Sequence, residues 1–201
     1  MTQASVKQRL PAEARRRAVL DTACRVFSRS SYRGATTAEI ARAAGISEPI
    51  LYRHFGSKRD LYLACLDAAW DEFRAAAERA IEKDPDRCLG AVADQYMAAR
   101  QPIRLVDLWI QGLTEAEDEV IAAKLRAQVR EVRDFFADLI RAGQKRGIVH
   151  GDRDAKAEAW IFIAGGLLAT MDGRLGGVLA GDLARVRAAR RAWMLADAGD
   201  A

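Results

Sequence analysis

Half of the 201 residues are hydrophobic and 30% are charged, enough apolar matter for a real core in one large domain or two small ones. That balance excludes an intrinsically disordered chain, and the longest apolar run, Ala159 to Met171, is too short to span a bilayer. The net charge of +4 conceals a division: residues 1–59 carry +8 and the remainder −4, so a basic front suited to meeting a polyanion sits on an acidic body.

Cys24, Cys65 and Cys88 are odd in number, far apart and without CxxC spacing, which argues against a disulfide framework or a zinc site and for a reducing cytoplasm. The start MTQASVKQRLPAEARRR holds no apolar core for a secretory signal. The expectation is a cytoplasmic protein with no metal site, no cofactor and no membrane partner.

Nearly every segment reads as helix, and no period-2 alternation is long enough for a sheet, so the fold class is all-α with about nine helices. Leu20, Ala23, Cys24 and Phe27 fall at i, i+3, i+4 and i+7, placing a first helix from about Glu13 to Ser28 with Cys24 in the core. Thr36 with Glu39 three residues on is a capping box that starts a second helix, which stops at Gly45. Ser47 caps a third, with Pro49 in its first turn where a missing N–H costs nothing, and Gly56 ends it. Ser57 and Asp60 open a fourth, whose stripe Leu66, Trp70, Phe73, Ala77 and Ile81 runs to Pro85.

A helix near Asp86 to Arg100 follows, and Pro102 begins the next. Ile121, Leu125, Val129, Val132, Phe136, Leu139 and Ile140 make a long amphipathic helix ending near Gly147. After the polar turn HGDRD, the helix Ala155 to Met171 is apolar almost all round and demands burial on several sides. GRLGGVLAG reads as a flexible connector before a last helix, Asp182 to Ala196.

The two short helices joined by AAGIS make a helix-turn-helix, whose second helix is shaped for a DNA major groove. Ile46, Leu51 and Phe55 then hold that helix inward. Ser47, Glu48, Pro49, Ile50, Tyr52, Arg53 and His54 remain on the outer face or its margin, where they can meet phosphate oxygens or base edges. Lys58 stands beside the open amides of the fourth helix, a seat for phosphate.

The run from Arg17 to Leu61 contains F-x4-Y (Phe27, Tyr32), TT-x2-IA (Thr36, Thr37, Ile40, Ala41), AGIS and LY-x-HF-x-SK-x2-L. This pattern resembles the DNA-binding domain of the tetracycline-repressor (TetR) family, over about the first third of the chain. The resemblance implies a three-helix head at residues 1–59 and a larger helical body at 60–201 holding a ligand pocket, with a homodimer formed through the last two helices. It implies phosphate contacts from Thr37, Tyr52, His54 and Lys58 and base-facing roles for Glu48, Pro49 and Ile50. Ile50 suits a thymine methyl and Glu48 a cytosine amino group. Arg42 and Arg53 reach either backbone or bases. Two departures stand out: Ser31 replaces a common glycine after the first helix, and Ala38 offers no long polar contact. The basic arm Lys7, Arg9, Arg15, Arg16 and Arg17 is open to two readings, groove contacts or a solubilising tail.

The function expected is a ligand-responsive transcriptional regulator. As a repressor it would bind a palindromic double-stranded DNA operator and leave it when a small hydrophobic effector binds the body; a transcriptional activator, or a ligand-independent regulator of the same fold, is the alternative. Phe73, Tyr96, Met97, Trp109, Phe136 and Trp160 are the candidate lining of an effector cavity, and each also suits ordinary core; Arg104, Asp107 and Gln111 are candidate polar selectors. An enzyme is disfavoured: His54 and His150 are the only histidines, and HExxH, GxSxG, Walker and dinucleotide patterns are absent. Glu115, Glu117, Asp118 and Glu119 read as a solvated helix start. A helical protein-interaction module without DNA explains the stripes but not the Tyr52–Lys58 constellation.

Overall fold

The computed structural model describes residues 11–84, 90, 92, 104–115 and 117–195. Among these the chain forms eight helices and no strand: α1 (Ala12–Arg29), α2 (Thr37–Ala43), α3 (Glu48–His54), α4 (Lys58–Lys83), α5 (Arg104–Leu113), α6 (Glu119–Lys145), α7 (Ala155–Arg174) and α8 (Ala180–Met194). The helix expected near Asp86 to Arg100 lies outside the described residues apart from 90 and 92, as does Cys88. No described helix is long and apolar enough to cross a membrane.

Helix starts are written by side chains that satisfy orphan amides. Thr36 Oγ1 accepts from Glu39 N at 3.1 Å, and Ser57 Oγ accepts from Asp60 N at 3.0 Å while donating to Asp60 Oδ2 at 2.8 Å. Asp118 caps α6 and Asp154 caps α7, each taking two backbone amides, and those bonds hold both carboxyls below the usual carboxylate range. Ser47 occupies the N-cap of α3, but its hydroxyl accepts no bond from the helix. At the Ser31 departure the chain leaves α1 in extended conformation, with Ser30 at φ −118° and ψ 156°, and Ser31 Oγ receives Gly34 N at 2.9 Å. A left-handed residue is therefore unnecessary there.

One expectation gives way at the far end. GRLGGVLAG is not slack: Gly176 and Gly177 adopt left-handed φ of 79° and 83°, and the buried Asp172 accepts Leu179 N at 2.5 Å through Oδ1 and Gly177 N at 2.9 Å through its carbonyl. On α7 the chain's own helices leave Trp160, Ile161 and Met171 exposed, as they do Val186 and Trp193 on α8. The last helix is tied down mainly by its C-terminal end, through His150 N to Met194 O at 3.1 Å, a Val149–Leu195 bridge and Trp193 Nε1 to Glu158 Oε1 at 3.3 Å.

Head and body meet at α5, which packs on α1 and α4 as well as on α6 and α7. Tyr62 of α4 is fully buried at this joint. Its ring meets Phe27 edge-on at 5.1 Å and Tyr32 at 5.0 Å, and its hydroxyl donates to Leu108 O of α5 at 2.5 Å. Burial accordingly pushes the Tyr62 phenol above its ordinary pKa. Gly112 makes this approach possible, because a Cβ there would lie 2.8 Å from the Tyr62 hydroxyl and 2.9 Å from Leu125 Cδ1. A Gly112→Ala protein is expected to lose about 1–3 kcal/mol through overpacking, read as a lowered thermal midpoint.

Glu115 departs from the solvated reading: it is buried and accepts from Arg33 Nε at 2.9 Å, tying the turn after α1 to the α5–α6 loop. Arg59 reaches Asp118 Oδ2 at 3.4 Å beside it.

Candidate nucleic-acid interface

Leu51 and Phe55 are buried and Ile46 half-buried, so α3 is pinned by its inner side chains against the head core. Arg42, Ser47, Pro49, Ile50, Tyr52 and Arg53 are exposed, Ile50 at 38% and Tyr52 at 45%, while Glu48 and His54 are half-buried at the margin. The structure thus brings these residues onto one surface of the α2–α3 unit, in a setting of apolar, polar and cationic tips that suits a duplex groove.

Several features of this surface differ from the reading by spacing. Thr37 is largely buried; its Oγ1 donates to Glu48 Oε1 and lies 3.1 Å from the Tyr52 hydroxyl. Lys58 folds back, its Nζ 4.7 Å from the Tyr32 ring centre and 3.4 Å from Arg33 O, and burial lowers its pKa. The amide of Asp60 that the sequence leaves open at α4 is already taken by Ser57. Arg15, Arg16 and Arg17 belong to α1 rather than to an arm, with Arg16 stacked 4.8 Å over Phe55; Lys7 and Arg9 lie outside the described residues.

The residues proposed to line an effector cavity divide. Phe73 and Phe136 pack together at 6.0 Å between ring centres, and Phe136 continues to Phe162 at 4.3 Å. Trp109 is buried, with Nε1 bonded to Gln128 Oε1 at 2.8 Å. Trp160 is a correction: it is 43% exposed, on the uncovered face of α7 with Arg133 5.7 Å from its ring centre, because a helix apolar on every side gives no sign of which side points out. Tyr96 and Met97 lie outside the described residues. A cleft of about 840 Å³ lies between α1 and α4, with Arg16, Asp21, Asp67, Glu72 and Arg104 on its walls and none of the proposed lining residues that are described. Of the candidate selectors, Asp107 is buried and held by Arg174 at 2.6 Å, and Arg104 is spread between Asp21 at 3.8 Å and Glu72 at 3.6 Å.

Comparison with known proteins agrees with this geometry. Residues 19–65 match the model of the bacterial regulatory proteins, tetR family. The transcriptional activator FasR of Mycolicibacterium smegmatis is 41% identical over 78 residues, 39% of this chain and 36% of that protein. The regulatory protein RaaS of Mycobacterium tuberculosis is 30% identical over 150 residues, 74% of this chain and 66% of that one. The chain therefore spans about a third of FasR and just under two thirds of RaaS. A TetR transcriptional regulator from Chloroflexus aurantiacus superposes with a TM-score of 0.76 at 24% identity, covering 92% of this chain and 98% of that one. A structure from Saccharomonospora viridis in complex with choline gives 0.70 at 23% identity, covering 92% and 99%. The solved structures extend the fold from the head through the body, and the match over residues 19–65, with the motif it contains, places the chain in the TetR family of bacterial regulatory proteins.

Proposed function

We propose that the protein is a DNA-binding transcriptional regulator that grips a palindromic operator as a homodimer and releases it when a small hydrophobic molecule enters the body. The observation that carries this reading is the α2–α3 surface, where Arg42, Pro49, Ile50, Tyr52 and Arg53 face outward while Leu51 and Phe55 anchor the helix beneath them. Nothing in a monomeric helical bundle requires that arrangement. The uncovered apolar face of α7 and α8 supports pairing through the last two helices, and a two-fold dimer would set its recognition helices roughly 34–36 Å apart.

The effector is the less constrained half of the proposal. A ligand acts only through different affinity for the bound and released conformations, and coupling of about 1–3 kcal/mol shifts operator affinity on the order of 5–150-fold. The choline complex of a similar fold supports a small-molecule site in the body, while FasR, an activator, favours no particular sign of the transcriptional effect.

The test is footprinting of the intergenic DNA beside the gene at low salt, with the mass of the free protein measured in parallel. The expected result is a protected inverted repeat and a mass of two chains. Arg53→Ala with Lys58→Ala should weaken binding and flatten the slope of log affinity against log salt, by about one for each phosphate no longer neutralised, with the dimer intact. A monomer, or full protection by the double variant, would overturn the reading.

A further inference from the structure

We propose that Glu48, locked in place by Thr37 and Tyr52, reads a C·G base pair in each operator half-site. The inference rests on the DNA-binding reading above and names what that surface selects.

The argument is an inventory of protons. An ionised carboxylate only accepts, and a threonine hydroxyl has a single hydrogen to give. Thr37 directs that hydrogen to Glu48 Oε1, so the 3.1 Å contact between Thr37 Oγ1 and the Tyr52 hydroxyl is closed by the tyrosine's own proton. The network therefore runs one way, from Tyr52 through Thr37 to Glu48. Its centre is shielded, since Thr37 is only 9% exposed, and it joins the first residue of α2 to two turns of α3.

With both hydroxyl protons consumed, these side chains present acceptors outward: the lone pairs of the Tyr52 oxygen and the second carboxylate oxygen of Glu48. Phosphate oxygens are acceptors too, so while the network holds, Thr37 and Tyr52 have no proton for the backbone contacts that the family resemblance implies. The complementary partner is a donor on a base edge. In the major groove those donors are the amino groups at cytosine N4 and adenine N6. Adenine carries the N7 acceptor beside its amino group, which would face the carboxylate; cytosine carries only a C–H there. The carboxylate thus favours cytosine. A wrong base at this position should weaken binding about 5–150-fold, the usual range for one mismatched pair.

Full-length protein is used to select duplexes from a library randomised across the half-sites, and the bound fraction is sequenced. The parent should enrich C·G at one position of each half-site. Glu48→Gln, whose amide both donates and accepts, should move that position toward A·T by pairing with adenine N6 and N7. Thr37→Val keeps the side chain's shape and removes the hydroxyl, so it should relax selection there while the other positions and the far-ultraviolet dichroism stay as in the parent. Selection without C·G enrichment, an unchanged preference in Glu48→Gln, or parental selectivity in Thr37→Val would each overturn the proposal and leave the DNA-binding reading standing. Retention of no duplex by the parent at low salt would sink both.

Discussion

A Phe27→Ala protein is expected to unfold about 3–5 kcal/mol more easily than the parent, because the whole ring leaves a packed site that can collapse only in part. Phe27 is fully buried, and its ring meets Tyr62 at 5.1 Å and Tyr32 at 6.1 Å. Domains of this size are stable by roughly 5–15 kcal/mol in all, so the loss removes a large share of what holds the protein folded. Urea denaturation gives the measurement, as a fall in the midpoint with the slope retained. Phe27→Leu keeps most of the volume and should cost less than about 1.5 kcal/mol. A Phe27→Ala loss under about 1 kcal/mol would mean that the aromatic joint of α1 and α4 is not packed as described.

Arg174→Ala should carry the second largest effect. Asp107 is buried on α5, and Arg174 at the end of α7 donates to its Oδ1 from Nε at 2.9 Å and Nη2 at 2.6 Å. Removing one member of a buried pair usually costs about 3–5 kcal/mol, since a charge is stranded. Arg174 is 37% exposed, so solvent screens part of the interaction and about 2–3 kcal/mol is the better expectation. The companion variant decides the cause. If the stranded carboxylate is responsible, adding Asp107→Asn to Arg174→Ala should recover part of the loss in the same denaturation experiment. If stability falls further, packing by the arginine stem is the larger contribution.

Helix starts were legible because their causes are local. Thr36, Ser57, Asp118 and Asp154 satisfy amides two or three residues away, so the sequence states both partners at once. Ser47 shows the limit of that logic: it fills the cap position and leaves the bond unmade. The outward set on α3 was legible for a related reason, since Leu51 and Phe55 fix the inner face of a short helix.

What stayed hidden depends on where distant segments meet. Glu115 sits in an acidic run that looks solvated, yet the fold sets Arg33, 82 residues earlier, against it. The order in GRLGGVLAG comes from a buried Asp172 whose partners depend on two left-handed glycines. Trp160 lies on a helix without an apolar stripe, so periodicity is silent about its direction. The Thr37–Glu48–Tyr52 network crosses between helices, and no spacing rule within one helix contains it.

The hydroxyl of Tyr62 on Leu108, with Gly112 making room, bears on how such heads can be exchanged. A graft that joins residues 1–59 to another regulator's body would cut between Phe27 and Tyr62 and strand half of an aromatic cluster. A portable head must therefore bring with it the first turn of α4 and a matching bare spot on α5, so its transferable unit is larger than the helix-turn-helix alone.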